Sequence, residues 1–176
     1  MTPFLLILFL FIAIVLNHLY LWKPRDMSLF YNGNNPLWFA HRGASTAAPE
    51  NTISAYTEAI KRGVSALEID VIRTLDGVVL CSHNFDLESK TDYDGYIDEL
   101  PYARIKDANT ALNWNSKREL LPKLEDVLKI VPKHVRLNIE IKSRSFHDVS
   151  LVRDVIDLIK GKNFINRTII SSFNPF

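Results

Sequence analysis

The chain has 176 residues, of which 47% are hydrophobic and 23% are charged, and its formal net charge is +1. This length is typical of one ordinary domain. The balanced charge argues against a nucleic-acid partner, which requires a clustered basic surface. The single cysteine, Cys81, excludes an internal disulfide framework and leaves the cellular compartment open.

The apolar residues are concentrated at the amino terminus. Residues 4–22 contain no formally charged side chain, and these 19 residues are enough to cross a bilayer as a helix. Tyr20 and Trp22 lie at the end of the stretch, where aromatic side chains favour the membrane interface. The sequence therefore predicts a single-pass membrane anchor over residues 1–23. Lys23 and Arg25 favour a cytoplasmic position for the rest of the chain, although only two charges support this.

Two other interpretations of residues 4–22 remain open. A cleaved signal peptide would have a basic start, a shorter apolar stretch and a cleavage site with small residues, and these features are absent from the sequence. A buried core helix would also be this apolar, but it is unusual at a chain terminus. Asn17 and His18 weaken the apolar character only near its end.

Residues 24–36 form a predicted polar linker that ends in a turn at residues 32–36, and a domain follows over residues 37–176. Strand and helix patterns then alternate, which predicts an α/β fold with a largely parallel sheet. Asn51 is the expected N-cap of the first helix, Gly63 its expected end, and Asp76-Gly77 a tight or hairpin-like turn. Residues 86–121 are polar and irregular. The predicted strands are 37–40, 66–74, 78–82, 135–141 and 168–173, and the predicted helices are 51–62, 122–131 and 148–159.

Two predicted strands carry acidic residues where a buried parallel sheet should be apolar. Glu68 and Asp70 share one face of their strand because side chains alternate. Asn138, Glu140 and Lys142 likewise share a face of a second strand. Buried carboxylates need a counter-charge, and a divalent cation with oxygen ligands can supply it. The alternative interpretation is that these are edge strands whose polar side faces water.

His41 and His83 each follow an apolar strand, and residues at the carboxyl ends of parallel strands line the ligand site in α/β folds. Histidine is suited to acid–base catalysis near neutral pH, whereas a single histidine is more often structural. Arg42 can bind a phosphate through two hydrogen bonds. Cys81 lies close enough to His83 to consider a thiol–histidine pair, but we expect it to have a packing role.

Six short motifs follow one another between residues 37 and 173. They are His41-Arg42-Gly43, Pro49-Glu50-Asn51-Thr52, Glu68-Ile69-Asp70, Thr74-Leu75-Asp76-Gly77, Ser82-His83 and Glu140-Ile141-Lys142. In this order they resemble the glycerophosphodiester phosphodiesterase family. The resemblance implies a (β/α)8 TIM barrel, here following an N-terminal transmembrane helix, and an insertion over about residues 86–121.

The resemblance also implies roles for individual side chains. It implies that His41 and His83 are the acid–base pair and that Arg42 and Lys142 bind the phosphate of the substrate. It implies a divalent metal, Mg²⁺ or Ca²⁺, bound by three carboxylates, with Glu50 in a supporting position. The implied metal ligands are Glu68, Asp70 and Glu140.

The implied reaction is hydrolysis of a glycerophosphodiester to glycerol 3-phosphate and an alcohol, which makes the chain a phosphoric diester hydrolase. The attacking oxygen is either water or the substrate's own glycerol hydroxyl, and the sequence does not distinguish the two. One alternative is a phosphodiesterase that acts on lysophospholipids, which a membrane anchor would suit. Another is a membrane-tethered fragment that binds phosphate or a headgroup without turnover.

The sequence departs from the family pattern in two ways. Asn84 follows His83 where the family commonly has aspartate. Barrels of this class need about 250 residues, and the sequence patterns supply about five of eight βα units before ending abruptly at Asn174-Pro175-Phe176. We therefore expect a C-terminally truncated chain that is poorly stable and weakly active or inactive by itself, because an incomplete barrel leaves strand edges and apolar faces exposed.

Overall fold

The computed structural model describes residues 3–21, 23, 26–31, 33, 36–114, 118–145 and 147–174. Some sequence predictions concern other positions. The interfacial aromatic residue, one of the two basic residues after the anchor, part of the predicted turn and the chain end lie outside the described residues: Trp22, Arg25, Asn32, Asn34, Asn35, Pro175 and Phe176.

The amino-terminal apolar stretch is helical. Helix α1 spans Pro3–Leu16 and continues through Asn17–Leu21 with π-helical geometry. Together they form a 19-residue segment with mean hydropathy 2.6 and no buried residue. The segment is long and apolar enough to cross a membrane, a test that a signal sequence would also pass.

The predicted linker contains a short helix, α2, at Ser28–Tyr31. Phe30 of this helix is buried, and its carbonyl oxygen accepts a hydrogen bond from the Arg136 side chain. The helix also contacts the turn at Ile165–Arg167. The connector therefore packs against the domain through an aromatic side chain, which its polar composition did not predict.

All five predicted strands are present in one sheet, and the sheet is largely parallel as expected. The strands are β1 (Phe39–Ala40), β2 (Ala66–Arg73), β3 (Val79–Cys81), β4 (Arg136–Ile141) and β5 (Thr168–Ser172). Four of them are parallel neighbours in the order β1-β2-β4-β5. In this register Glu68 lies opposite Asn138 and Asp70 lies opposite Glu140, so the acidic positions of β2 and β4 face each other.

Strand β3 differs from the others because it runs antiparallel to β2 and lies outside the parallel path. The short turn between the two strands leaves no room for the crossover helix that a parallel neighbour requires. Gly77 has a φ of +91° in this turn, and the Thr74 hydroxyl accepts a hydrogen bond from the Val78 N–H. The hairpin-like turn predicted at Asp76-Gly77 is therefore confirmed.

Three helices pack on the sheet: α3 at Ile53–Lys61, α5 at Leu124–Ile130 and α6 at Ser150–Gly161. Their apolar faces and the strands share one buried core. The prediction of Asn51 as the N-cap of α3 was wrong, because Thr52 accepts the capping hydrogen bond from Ala55 N–H at 3.1 Å. Gly63 follows the end of α3 with a φ of +79°, as expected of a helix-terminating glycine.

Residues 86–121, which the sequence predicted as an insertion, contain a short 3₁₀ helix at Ile97–Glu99 and the helix α4 at Tyr102–Ile105. Despite its polar composition, this stretch has buried apolar side chains of its own. Leu87, Ile97 and Ile105 pack with Ile72 and Leu80 from the hairpin. Residues 86–121 therefore pack against the β2–β3 hairpin.

Candidate active site

Three carboxylates converge where β2 and β4 face each other. One carboxylate oxygen from each of Glu68, Asp70 and Glu140 lies within 4.8 Å of the others. Glu68 and Asp70 are buried, and Glu68 Oε1 is buried without a hydrogen-bond partner, whereas Asp70 Oδ1 and Glu140 Oε1 face the Lys142 ammonium. A hard divalent cation takes carboxylate oxygens as ligands, so this donor set fits such a cation. The alternative interpretation, edge strands whose acidic side chains face water, does not describe Glu68 and Asp70, which are buried.

Burial and mutual repulsion alter the titration of the cluster. Burial, followed by repulsion from the Asp70 carboxylate, raises the pKa of Glu68 from 4.5 to about 7. The Arg42 backbone N–H donates to Glu68 Oε2 at 3.0 Å and opposes this shift. A bound cation would favour the charged form of Glu68, since opposite charge nearby stabilises a carboxylate.

Arg42 lies in the loop that follows β1 and contacts the carboxylate cluster. Its Nε lies 3.1 Å from Asp70 Oδ2, and its Nη1 lies 3.3 Å from Glu50 Oε2. The residue has a φ of +57°, and Gly43 follows with +82°. A Cβ on Gly43 would lie 2.7 Å from the carbonyl carbon of Ala55. The turn that positions Arg42 therefore requires glycine at residue 43.

Lys142 approaches the carboxylates from the end of β4. Its Nζ lies 2.7 Å from Glu140 Oε1 and 3.3 Å from Asp70 Oδ1. Arg42 thus contacts one carboxylate oxygen of Asp70, and Lys142 contacts the other. Both cations sit next to the carboxylates on which the sequence predicted a metal site.

Glu50 lies one step farther out and pairs with both Arg42 and Lys90, whose Nζ is 3.3 Å from Glu50 Oε1. Burial raises the pKa of Glu50, but the two neighbouring cations outweigh this effect and hold the pKa below its ordinary value. Glu50 therefore remains an anion that orients the Arg42 guanidinium.

The two histidines border the cluster from different elements. His41 follows β1, its side chain is 68% exposed, and its Nε2 lies 4.0 Å from Glu68 Oε2. His83 follows β3, and Ser82, beside it, donates its N–H to the Asp70 carbonyl at 3.1 Å. The prediction that His83 lies at the end of a parallel strand was wrong. The hairpin brings it to this region instead.

Asn84 orients the His83 ring. Its Oδ1 lies 2.7 Å from His83 Nδ1, while its Nδ2 donates to the Ser89 hydroxyl. An amide oxygen therefore occupies the place beside Nδ1, although the sequence pattern suggested that an aspartate is usual after this histidine. With Nδ1 bonded to Asn84, Nε2 is the ring nitrogen left for a substrate.

Asn51 is a site residue that the sequence analysis misassigned. It is buried with a φ of +56°, and its Nδ2 donates to Asp70 Oδ2 at 3.0 Å. Its Oδ1 accepts hydrogen bonds from the Asp70 N–H and the Tyr56 hydroxyl. Asn51 therefore fixes the carboxylate of Asp70. The signal that could have identified it was its place in the Pro49-Glu50-Asn51-Thr52 motif.

Cys81 is fully buried in the main core, and burial raises the pKa of its thiol. A thiol held in its neutral form is a poor nucleophile. The packing role expected for this residue agrees with its surroundings.

Comparison with known proteins gives one family. The sequence model of the glycerophosphoryl diester phosphodiesterase family matches residues 41–175. A glycerophosphodiester phosphodiesterase of Caldanaerobacter subterraneus is 34% identical over 143 residues, which cover 80% of this chain and 59% of that protein. The uncharacterised YqiK of Bacillus subtilis is 35% identical over 139 residues, which cover 77% of this chain and 57% of that protein.

Solved structures agree. An Oleispira antarctica phosphodiesterase in complex with the product sn-glycerol-3-phosphate has a TM-score of 0.72 and 28% identity, covering 80% of this chain and 58% of that one. The Thermotoga maritima glycerophosphodiester phosphodiesterase has a TM-score of 0.63 and 28% identity, covering 80% and 56%. The predicted α/β fold, part of a (β/α)8 barrel, is confirmed. The chain spans a little over half the length of these relatives, and it belongs to the glycerophosphoryl diester phosphodiesterase family.

Proposed function

We propose that this chain carries the metal and acid–base groups for hydrolysis of a glycerophosphodiester to glycerol 3-phosphate and an alcohol. The observation that carries the proposal is the convergence of three carboxylates, one oxygen of each within 4.8 Å of the others, beside two cationic side chains. Membership in the family and the likeness to a phosphodiesterase bound to sn-glycerol-3-phosphate support the same substrate class.

In this proposal Glu68, Asp70 and Glu140 hold a divalent cation, either Mg²⁺ or Ca²⁺. When bound, the cation supplies positive charge that stabilises the negative charge developing on the phosphoryl oxygens. The meeting of three carboxylates with only two cationic side chains, Arg42 and Lys142, supports this assignment, as does the raised pKa of Glu68, since both indicate an excess of negative charge at the site.

Arg42 and Lys142 bind the phosphate of the substrate in this proposal. Arg42 is oriented by Glu50 and Asp70, so its guanidinium is held in one position before a substrate arrives. Lys142 is oriented by Asp70 and Glu140. A cation at the carboxylates would weaken these ion pairs and leave both side chains available to an anionic ligand, because it competes for the same oxygens.

His41 and His83 serve as the acid–base pair. One imidazole accepts the proton of the attacking oxygen as that oxygen bonds to phosphorus. The other donates a proton to the departing alkoxide as its bond to phosphorus breaks. Exposure of His41 and the free Nε2 of the Asn84-oriented His83 support this division of labour between two separate elements.

We also propose that residues 1–23 anchor the chain in a membrane by a single pass, which the length and apolarity of Pro3–Leu21 support. Lys23 and Arg25 favour the cytoplasmic side for the domain. The substrate partner is then a glycerophosphodiester or, in the alternative suggested by the anchor, a lysophospholipid.

Phosphorus NMR of the membrane-reconstituted chain with glycerophosphocholine tests the function. We expect a weak glycerol 3-phosphate signal in the presence of Mg²⁺ or Ca²⁺, because the chain supplies only part of a barrel. The signal should disappear on addition of EDTA and return when the cation is restored. Turnover that is undiminished in EDTA would contradict the cation's role. Cation-dependent binding of glycerol 3-phosphate without any turnover would instead support a membrane-tethered binding module.

A further inference from the structure

The ends of α3, α5 and α6, together with the loops that lead from them into the next strands, carry a concentrated positive charge. Three such segments precede β2, β4 and β5: residues 58–65, 129–135 and 160–167. We call these three segments together the amino-terminal edge. They contain one acidic residue, Glu58, in a chain with 21 basic and 20 acidic residues. Against this single acid they hold seven basic residues: Lys61, Arg62, Lys129, Lys133, Lys160, Lys162 and Arg167.

Part of this charge is neutralised locally, because Lys61 and Arg62 pair with Glu58 and Lys129 pairs with Glu125 and Asp126. Lys133, Lys160 and Lys162 are exposed. Arg167 is used internally, since its guanidinium donates to the carbonyls of Pro132 and Val135 and lies over the Phe164 ring. Three exposed lysines of the edge, Lys133, Lys160 and Lys162, are therefore available to an external anionic surface, while Arg167 holds two of the segments together.

Exposed apolar side chains lie on the same edge. Trp38 directly precedes β1 and is 76% exposed. Its backbone N–H donates to the hydroxyl of Ser65, the residue before β2. Leu29 of α2 is 67% exposed, and Ile165 in the turn before β5 is 50% exposed. Basic residues around exposed tryptophan and aliphatic side chains are typical of a surface that contacts a bilayer interface, and they favour a membrane over a nucleic acid.

The tether reaches the domain at this edge as well. Helix α2 packs on the turn before β5, and Arg136 at the start of β4 binds the Phe30 carbonyl. Only six residues separate Leu21, at the end of the apolar helix, from Ser28, at the start of α2. Fully extended, that distance is at most about 25 Å. The apolar helix must therefore leave the membrane close to the basic edge.

We propose that the amino-terminal edge lies on the membrane and binds anionic lipid headgroups, so that the carboxylate site opens on the opposite side, toward water. His41 and Lys142 mark that opposite side because they follow the carboxyl ends of β1 and β4. Resting on the proposed function, this orientation favours a water-soluble, deacylated glycerophosphodiester as the substrate over a lysophospholipid embedded in the same bilayer. Anionic lipids also concentrate on the cytoplasmic leaflet.

Native tryptophans test the orientation. Trp38 lies on the amino-terminal edge, whereas Trp114 borders a cleft with Glu50 on the side of the site. The full chain carrying Trp22→Phe and Trp114→Phe reports on Trp38 alone, and Trp22→Phe with Trp38→Phe reports on Trp114 alone. In vesicles of brominated phosphatidylglycerol and phosphatidylcholine, we expect loss of Trp38 fluorescence and none of Trp114 fluorescence. Equal quenching of both, or quenching of Trp114 only, would overturn the proposal.

Charge reversal tests the headgroup contact. Lys133→Glu with Lys162→Glu should reduce Trp38 quenching in anionic vesicles to the level found in pure phosphatidylcholine. Arg104→Glu with Lys106→Glu is the matched control, because α4 is joined to Asp76, beyond the carboxyl end of β2, through the Tyr102 N–H. The control should keep full quenching. An identical response of both pairs, or equal quenching in both lipids, would overturn the proposal. These measurements report position, so their outcome is independent of turnover.

Discussion

Glutamine at both Glu68 and Glu140 should lower cation-dependent release of glycerol 3-phosphate by on the order of 10²–10³-fold, because a catalytic cation contributes several kcal/mol of transition-state stabilisation. The double variant keeps the side-chain volumes and removes two of the three charges in the cluster. Rates measured by phosphorus NMR relative to the unsubstituted chain give the loss. Glu58→Gln with Glu125→Gln is the matched control, since both glutamates lie on helix surfaces.

Thermal melting separates loss of the site from loss of the fold. In EDTA we expect the Glu68→Gln, Glu140→Gln variant to melt close to the unsubstituted chain, because removal of two mutually repelling carboxylates offsets loss of the Glu140–Lys142 ion pair. Added Mg²⁺ or Ca²⁺ should raise the Tm of the unsubstituted chain and of the control, but not that of the variant. A cation-induced rise that survives in the variant would refute the assignment of these ligands.

Alanine at His41 or at His83 should each reduce turnover by about 10²–10⁴-fold, the usual contribution of a positioned acid or base. The increase in Tm on cation binding should be retained, since neither imidazole belongs to the carboxylate cluster. His134→Ala is the matched control because His134 is exposed in the turn before β4, on the edge away from the site. Undiminished turnover in either variant would remove that histidine from the proposed mechanism.

The shared face of the two carboxylates on β2 was predictable, because the alternation of side chains along a strand depends on sequence alone. Glu68 and Asp70 had to share a face, and an apolar partner strand with one glutamate had to bring a third carboxylate somewhere into the same sheet. The distance between the strands was not predictable in this way. It follows from the register that sets Asp70 opposite Glu140, which depends on the packing of the complete sheet.

Asn51 shows where prediction from sequence fails. Asparagine before a helical pattern is an ordinary N-cap, and Thr52 beside it satisfies the same preference. The positive φ of Asn51 turns its side chain inward to Asp70 instead, and this conformation depends on the tertiary contacts around the loop. A single sequence offers no local signal that decides between two adjacent capping residues.

The hairpin and α2 are further examples. The Asp76-Gly77 turn was recognised, but its consequence for His83 was not, because the strand was counted as one more member of the parallel set. Helix α2 lies in a polar connector and has only Phe30 buried against the domain. One aromatic residue does not form a periodic pattern, so sequence analysis could not predict where the connector docks.

A crystal structure of the chain with Mn²⁺ and glycerol 3-phosphate tests the central claim most directly, because manganese scatters anomalously and accepts the same oxygen ligands as Mg²⁺. We predict one strong anomalous peak bounded by the carboxylates of Glu68, Asp70 and Glu140, with the phosphate of the product contacting Arg42 and Lys142. A peak elsewhere at saturating Mn²⁺, with Asp70 and Glu140 still ion-paired to Arg42 and Lys142, would contradict the account.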